Sequence, residues 1–379
     1  MNNIPYFIPD YYKSRDRFLK ETKTFAPSSK VGSWAIPQKN GPDLFVDHFW
    51  IPPKEKSETL FVISSGIHGN EGPAGSAIQS MFMNEFLSKM DFTNTGLFMV
   101  HSMNPYGYVN RQRCTEAKVN LNRNFSVSGE LFKTKNPKSK HFHERFLETK
   151  PVSSMTSKFL SLMQKKNGVP YIDDVPLDEF IKACVPGQFE RPDHLEYGGH
   201  ACEPQTQHFI EAVRTLMKDF KDVIGLDLHT GLGHAGRLHL LTDGDEKTCH
   251  EILFNQTFNV EADKEFYEFT PATEEGFYEV HGALNSGFRA LIRDDQRLCS
   301  LTMEFGTLGH SFEKQMESFN SFLLTHQGTS HGYATPEIEK TVKTIDFAKS
   351  YVDTDEWKNS VMNASRGMFE RILKRTRSI

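Results

Sequence analysis

The sequence has few cysteines, no long apolar run and no excess of basic residues, and each feature excludes a class of protein. Its 379 residues include five cysteines, which are widely spaced and form no Cys-x-x-Cys pair. We therefore expect neither a disulfide framework nor a thiolate zinc cluster. No stretch of about eighteen apolar residues occurs, and the first residues do not resemble a secretion signal, so we expect a cytoplasmic protein without a membrane span.

The composition indicates a globular protein. Hydrophobic residues make up 37% of the chain and aromatic residues 12%, which is enough for a substantial core. The net charge of −5 argues against nucleic acid or an anionic membrane as the main partner, because neither attracts an acidic surface. We predict a single domain over 1–379, with 126–200 as an elaboration and 330–379 as a helical C-terminal extension. A small second domain at 126–200 is the alternative.

The order of apolar patterns predicts alternating strands and helices. An apolar run from Leu60 to Ile63 indicates a buried strand, a helical pattern begins at Pro73, and a second strand is predicted over 96–101. A strand–helix–strand unit of this spacing implies parallel pairing. Further strands are predicted over 43–50, 223–229, 236–241 and 299–305, and further helices over 14–25, 153–164, 204–220, 246–258, 312–325, 336–352 and 357–374.

Side chains suited to metal binding lie where the predicted strands end. His68 and Glu71 follow the first buried strand in a glycine-containing turn, and His229 ends the strand over 223–229. Two histidines and a carboxylate are ligands of catalytic zinc sites, which leave the fourth position to water. Simpler interpretations exist: Glu71 complements a helix dipole, His68 is a turn residue, and His229 is an ordinary strand-end histidine.

Other polar residues are candidates for acid–base chemistry and anion binding. Glu304 is the one acid in the strand over 299–305, and its apolar neighbours favour a partly desolvated general base. Arg113 is a candidate for stabilising an oxyanion, and Asn122 with Arg123 for gripping a substrate carboxylate. The simpler interpretations are an edge position for Glu304 and a solvated basic loop for the arginines.

As a set, these motifs resemble the zinc carboxypeptidases in content and order over about residues 40–325. The matching pieces are His68-x-x-Glu71, Asn122-Arg123-Asn124-Phe125, His229 and Thr302-Met303-Glu304-Phe305-Gly306. The resemblance implies an α/β fold with a central mixed, largely parallel sheet of about eight strands flanked by helices. It also implies one zinc ion per chain, bound by His68, Glu71 and His229.

The resemblance assigns roles to the remaining candidates. Glu304 would be the general base, Asn122 and Arg123 would bind the terminal carboxylate of the substrate, and Arg113 would act on the transition state, with Arg111 as its rival. Tyr278 is the candidate for the tyrosine that closes over the substrate.

A closer resemblance is to a bacterial branch of the family whose substrate is undefined. It is carried by His68-Gly69-Asn70-Glu71-Gly72, Asn104-Pro105-Tyr106-Gly107, Gly187-Gln188 and Glu196-Tyr197-Gly198-Gly199. We expect Tyr197-Gly198-Gly199, which lies in the elaboration, at the substrate-facing rim. One departure concerns the support of a ligand: the family usually has an aspartate beside a metal-binding histidine where this chain has Asn120.

The resulting hypothesis is a zinc hydrolase that cleaves an amide bond next to a free carboxylate, as a carboxypeptidase does on peptides. The close alternative is a deacylase of N-acyl amino acids, as in the aspartoacylase and succinylglutamate desuccinylase relatives, which share the same plan. A third hypothesis is a non-catalytic module that binds the metal or a carboxylate. The presence of Glu304 argues against it, because a binding module needs no general base.

Overall fold

An eight-stranded sheet runs through the computed structural model, which describes residues 3–242, 249–258, 267–271, 280–309 and 311–377. The order of its strands is β1-β2-β4-β3-β8-β11-β9-β10. Their bounds are β1 Lys30–Ile36, β2 Leu44–Ile51, β3 Thr59–Ser65, β4 Thr95–His101, β8 Asp222–Gly231, β9 Leu238–Thr242, β10 Tyr267–Pro271 and β11 Arg297–Gly306. Three shorter strands form a separate sheet: β5 Met163–Lys166, β6 Val169–Ile172 and β7 Val175–Pro176.

The centre of the large sheet is parallel, and antiparallel pairs lie towards its edges. Strands β4, β3, β8 and β11 pair in parallel, as do β9 and β10. Strand β2 pairs antiparallel with both β1 and β4, and β11 pairs antiparallel with β9. The predicted α/β fold with a mixed, largely parallel sheet of about eight strands is therefore confirmed.

Helices cover both faces of the sheet. Their bounds are α1 Tyr11–Phe25, α2 Gly72–Glu85, α3 Pro105–Asn110, α4 Pro137–Phe146, α5 Lys158–Ser161, α6 Leu177–Cys184, α7 Pro204–Met217, α8 Glu251–Thr257, α9 Leu284–Leu291, α10 Phe312–His331, α11 Pro336–Ser350 and α12 Asp355–Arg377. Every residue of β3 is buried. Phe61 and Ile63 pack with α2 and α12 on one face, whereas Leu60 and Val62 pack with α7 and α9 on the other. Burial of both faces explains why β3 is a continuous apolar run.

The span 126–200 contains α4 to α6 and the small sheet. Phe142, Phe159 and Phe180 lie in a separate buried cluster that also includes Leu323 of α10. Its description as an elaboration stays a prediction. The helix predicted over 153–164 is wrong for most of its length, because only α5 forms and β5 follows it directly. Asn167 and Gly168 connect β5 to β6, and their φ angles of 54° and 83° are typical of a tight hairpin turn.

The C-terminal helices predicted over 336–352 and 357–374 are present as α11 and α12. Phe369 of α12 packs against Phe82 of α2 with ring centroids 4.6 Å apart, so α12 contributes to the main core. The boundary drawn at 330 for a C-terminal extension stays a prediction. Within the described ranges, no helix combines the length and the apolar character that crossing a membrane requires.

Candidate metal centre

Three parallel strands deliver the candidate residues to one edge of the sheet. His68 lies in the turn after β3, His229 lies near the end of β8, and Glu304 lies opposite His229 in the β8–β11 register. Because parallel strands point the same way, their carboxyl ends meet at one edge, where ligand sites form in α/β folds. The sheet therefore brings together side chains that lie far apart along the chain.

His68, Glu71 and His229 form one compact buried group, and their donor atoms all lie within 4.8 Å of one another. Glu71 occupies the centre: its Oε1 is 2.7 Å from His68 Nδ1, and its Oε2 is 3.1 Å from His229 Nδ1. The Oε2 atom also accepts a hydrogen bond from the backbone amide of Thr230, at 3.0 Å. Both imidazoles thus direct the same nitrogen, Nδ1, towards one carboxylate.

The outward nitrogens of the two histidines have different partners. His68 Nε2 lies 3.2 Å from Asn120 Oδ1, whereas His229 Nε2 lies 2.7 Å from Asp227 Oδ2. Ser64 donates a hydrogen bond to Asp227 Oδ1 at 2.7 Å. The sequence analysis missed Asp227, although the signal was available: residues two apart on a strand share a face, so Asp227 lies beside His229. Metal-binding histidines are commonly oriented by a carboxylate at the outward nitrogen, and here such a carboxylate contacts His229 rather than His68.

The charges at this centre follow from burial and from these contacts. Burial, together with Arg113, lowers the pKa of His68 to about 4. Burial also opposes ionisation of His229 and Glu71, but the attraction of their neighbours outweighs it. Asp227 and Glu71 hold the pKa of His229 well above its ordinary value, and His68 and His229 hold the pKa of Glu71 below its own. Glu71 is therefore an anion in contact with two imidazoles.

Glu304 is buried beside this group, with 7% of its surface exposed. Its Oε1 accepts a hydrogen bond from the backbone amide of Leu232 at 2.9 Å. Burial, with the nearby charge of Glu71, raises the pKa of Glu304 to about 7. Gly231 has a φ of 152°, and a Cβ atom there would lie 3.3 Å from Glu304 Oε1, so glycine suits this position. A carboxyl group with a pKa near neutrality can both accept and return a proton.

Arg113 reaches the centre because its loop pairs with the turn that carries His68. The backbone amides of Gly69 and Asn70 donate to the carbonyl oxygens of Arg113 and Gln112, at 3.3 and 3.1 Å. Arg113 Nη1 consequently lies 3.3 Å from His68 Nδ1 and 3.9 Å from Glu71 Oε1.

Arg111, the rival of Arg113, lies elsewhere. Its guanidinium stacks over the ring of Phe347, 4.9 Å from the centroid. Of the two arginines, the structure places Arg113 beside His68 and Glu71.

Arg123 and Asn122 already have partners within the chain. Arg123 is 1% exposed and donates from Nε and Nη2 to the carbonyl oxygen of Val185, at 3.0 and 2.9 Å. Its Nη2 is also 3.0 Å from Glu196 Oε2. Asn122 Oδ1 accepts a hydrogen bond from the backbone amide of Leu284 at 3.0 Å. The predicted carboxylate-binding pair is thus held in place by the chain itself.

Glu196 is the second residue whose role the sequence analysis missed. Its carboxylate lies between Arg113 Nε, at 3.5 Å, and Arg123. It also accepts a hydrogen bond from Asn120 Nδ2. Burial opposes its charge, but Arg113 and Arg123 lower the pKa of Glu196 below its usual value. The motif was noted in the sequence, but nothing local indicated which residues Glu196 would meet.

The contact with Glu196 explains why residue 120 is an asparagine. Asn120 Oδ1 faces His68 while its Nδ2 donates to Glu196, so a single amide serves an imidazole and a carboxylate. An aspartate has no donor and would place a second carboxylate against Glu196. The asparagine at position 120, where the family usually has an aspartate, therefore occurs together with an acid at position 196 that accepts its hydrogen bond.

The segment that follows Glu196 is not at an exposed rim. Tyr197 is 5% exposed, and its carbonyl oxygen accepts a hydrogen bond from the backbone amide of Asn120 at 2.8 Å. A Cβ atom on Gly198 would lie 2.2 Å from the ring of Phe189. The expectation of a substrate-facing rim is wrong for this segment, because it packs against the loop that carries Asn120. Tyr278, the predicted closing tyrosine, lies outside the described residues.

The donor set fits a divalent cation. His229 has carboxylate oxygens at both ring nitrogens, Glu71 at 3.1 Å and Asp227 at 2.7 Å. Since ionised carboxylates only accept, His229 must carry two protons unless a cation takes the place of one. A set of two imidazole nitrogens and one carboxylate matches zinc, and other divalent ions also accept it.

Comparisons with known proteins give a family and a set of distant structural similarities. A family model described as "Protein of unknown function (DUF2817)" matches residues 7–364. A search of the curated proteins found no match.

Among solved structures, carboxypeptidase A from Helicoverpa armigera is 12% identical with a TM-score of 0.45, and the alignment covers 91% of this chain and 74% of that one. A metallo-carboxypeptidase from Burkholderia cenocepacia is 12% identical with a TM-score of 0.45, over 95% of this chain and 68% of that one. Murein-tripeptide amidase MpaA from Escherichia coli O157 is 16% identical with a TM-score of 0.37, over 81% and 93%. Two of these proteins are named as carboxypeptidases and the third as an amidase, and each is a protein to which this chain is similar in structure.

Proposed function

Because the chain belongs to the DUF2817 family of proteins of unknown function, we propose its function from the site itself: metal-dependent hydrolysis of an amide bond. The observation that carries the proposal is the group of His68, Glu71 and His229, with Glu304 buried beside it. A ligand set with an adjacent general base is the arrangement that hydrolysis by an activated water requires.

The three ligands would hold one zinc ion per chain. When bound, zinc supplies Lewis acidity, which polarises a carbonyl oxygen and makes water a stronger acid. Asn120 orients the imidazole of His68, and Asp227 orients that of His229. In each case a side-chain oxygen contacts Nε2, the nitrogen that points away from Glu71. The imidazole rings are thereby prevented from rotating away from the ligand position.

Glu304 is proposed as the group that moves the proton. It takes a proton from the attacking water at its carboxylate and passes it to the leaving nitrogen. A pKa of about 7 suits both steps, because the carboxyl group is neither a strong acid nor a weak one at neutral pH. General acid–base catalysis of this kind typically contributes about 10²–10⁴-fold in rate.

The finer proposal is that the amide bond lies next to a free carboxylate. Asn122 and Arg123 are the proposed carboxylate-binding pair, and Arg113 is proposed for the oxyanion. Arg113 is 24% exposed in its side chain, against 2% for Arg123. A substrate carboxylate at Arg123 would have to displace Glu196, whereas the more exposed Arg113 keeps its proposed role at the oxyanion.

Metal analysis and two variants test the general proposal. The purified protein should contain about one zinc per chain, and both His68→Ala and His229→Ala should lose it. Glu304→Gln should keep the metal and the fold but lose hydrolysis. A metal-free wild type that gains no zinc on reconstitution would overturn the site, and an active Glu304→Gln variant would overturn the assigned base.

A substrate panel separates a peptidase from the alternative, a deacylase of N-acyl amino acids. Peptides with varied C-terminal residues, their C-terminal amides and N-acyl amino acids would be compared by kcat/KM. A carboxypeptidase cleaves the free-acid peptides and rejects the amides, whereas a deacylase prefers the N-acyl amino acids. A metal-loaded protein that cleaves none of these compounds favours the non-catalytic module.

A further inference from the structure

Two cysteines that lie 50 positions apart in the sequence meet in the fold. Their sulfur atoms, Cys249 Sγ and Cys299 Sγ, are 3.4 Å apart. Cys299 lies on β11 and is fully buried, whereas Cys249 lies just before α8 and is partly exposed. Both are free thiols in the structure.

The backbone at this contact has the geometry that a disulfide needs. Cys249 and Cys299 form an isolated antiparallel bridge, and the adjacent amide of His250 donates to the carbonyl oxygen of Leu298 at 2.7 Å. The hydrogen bond therefore flanks the cysteine pair, which makes it the non-hydrogen-bonded kind. In such pairs the Cα atoms lie about 4.5 Å apart, inside the range of about 4.4–6.8 Å found in disulfides. Side-chain rotation alone can bring the two sulfurs to bonding distance.

We propose that Cys249 and Cys299 are a modification site, at which a hydroperoxide oxidises the two thiols to a reversible disulfide. The two residues differ in access, and this difference sets their order of reaction. Burial raises the pKa of the Cys299 thiol well above its ordinary value, and Cys249 raises it further, so Cys299 is a poor nucleophile while the pair is reduced. The partly exposed Cys249 meets the oxidant first.

The reaction balances with one molecule of hydrogen peroxide. The Cys249 thiolate attacks one peroxide oxygen, the O–O bond breaks, and Cys249 becomes a sulfenic acid while the other oxygen leaves as water after protonation. Cys299 then attacks Cys249 Sγ, the S–S bond forms, and the S–O bond breaks. The hydroxide released takes the proton of the Cys299 thiol, so two thiols and one peroxide give one disulfide and two waters.

The bond would connect the segment before α8 to the strand that carries Glu304. Cys299 and Glu304 lie on the same strand, β11, so the cross-link joins this strand to Cys249 at its far end from the candidate site. The proposal does not depend on the hydrolase function, because it rests on the thiol pair alone.

Thiol counting on the full-length protein tests the proposal. The wild type has five cysteines, so denaturing thiol titration should give five thiols before treatment and three after stoichiometric hydrogen peroxide. The intact mass should fall by the two hydrogens of one disulfide, dithiothreitol should restore all five thiols, and peptide mapping should find Cys249 linked to Cys299.

Two serine variants provide the controls. Cys249→Ser should keep its four remaining thiols under the same treatment, whereas Cys202→Ser, which removes another partly exposed thiol, should still lose two. Circular dichroism of each variant checks the fold. A wild type that keeps five thiols, that only gains oxygen, or that links other cysteines overturns the proposal.

Discussion

Exchange of the acid and the amide between positions 120 and 196 tests the structural account of the site most directly. Asn120 is fully buried and Glu196 is 7% exposed, and the Asn120 amide donates to the Glu196 carboxylate. The single variant Asn120→Asp removes this donor and sets two buried carboxylates against each other. The double variant Asn120→Asp/Glu196→Gln restores one acid and one amide with their positions exchanged.

The expected magnitudes follow from the contacts that are lost. A hydrogen bond to a charged group stabilises by about 1.5–3 kcal/mol, and two like charges about 4 Å apart repel by about 4 kcal/mol at an effective dielectric constant of 20. Proton uptake by one carboxyl group limits the total, so Asn120→Asp should lower the free energy of unfolding by about 3–5 kcal/mol. Glu196→Gln should cost a similar amount, because it leaves Arg113 and Arg123 without their shared carboxylate.

Urea unfolding of chelator-treated protein measures these changes without any contribution from bound metal. The loss in free energy of unfolding of the double variant should be about 2 kcal/mol smaller than the sum of the two single losses. A coupling of this size is within the range found for residues in contact. A matched control is Asp178→Asn, which breaks an exposed pair with Lys182, whose side chain is 76% exposed. That variant should change stability by no more than about 0.5 kcal/mol. Additive single effects, or an Asn120→Asp variant as stable as wild type, would refute the pairing.

Three further predictions concern the carboxylate behind His229, the proposed base Glu304 and the partly buried His326. Asp227→Asn should weaken zinc binding about 10–100-fold in chelator competition while leaving the fold intact, because it removes the carboxylate behind His229; unchanged affinity would contradict this role. In the wild type, kcat/KM should fall as the pH drops below about 7, because protonated Glu304 cannot act as a base; a profile flat from pH 8 to 5 would contradict it. Burial lowers the pKa of His326 to about 4, although its hydrogen bond to the Asp193 carbonyl oxygen opposes this shift. The folded state therefore binds fewer protons than the unfolded state, and stability should be lost as the pH falls from about 6.5 to about 4. His326→Gln should reduce this loss in urea unfolding measured at pH 7 and pH 5, and an unchanged difference between the two pH values would rule out His326 as its source.

Local patterns predicted the elements around the site well. The run from Leu60 to Ile63 is a strand because both of its faces are buried, and a fully apolar run has few other stable environments. The helix predicted over 153–164 failed because the chain turns into a hairpin there. The Asn167-Gly168 turn joins β5 to β6, and a helical pattern within one segment does not reveal that pairing.

What the sequence by itself determined is the set of chemical groups at the strand ends. His68 and Glu71 are three residues apart in one turn, and Asp227 and His229 are two apart on one strand, so each pair is placed by local geometry. The other contacts of this site join residues that lie far apart in the sequence.

Only the tertiary structure decided how those pairs are supported. Glu196 meets Asn120 across 76 positions, Cys249 meets Cys299 across 50, and the choice of Arg113 over Arg111 depends on a loop that pairs with the His68 turn. Such contacts depend on which segments the sheet and its loops bring side by side, and no periodicity within one segment records that choice. The proposed metal ligands can therefore be identified in the sequence, whereas the contacts of Glu196 with Asn120 and of Cys249 with Cys299 are decided only by the fold.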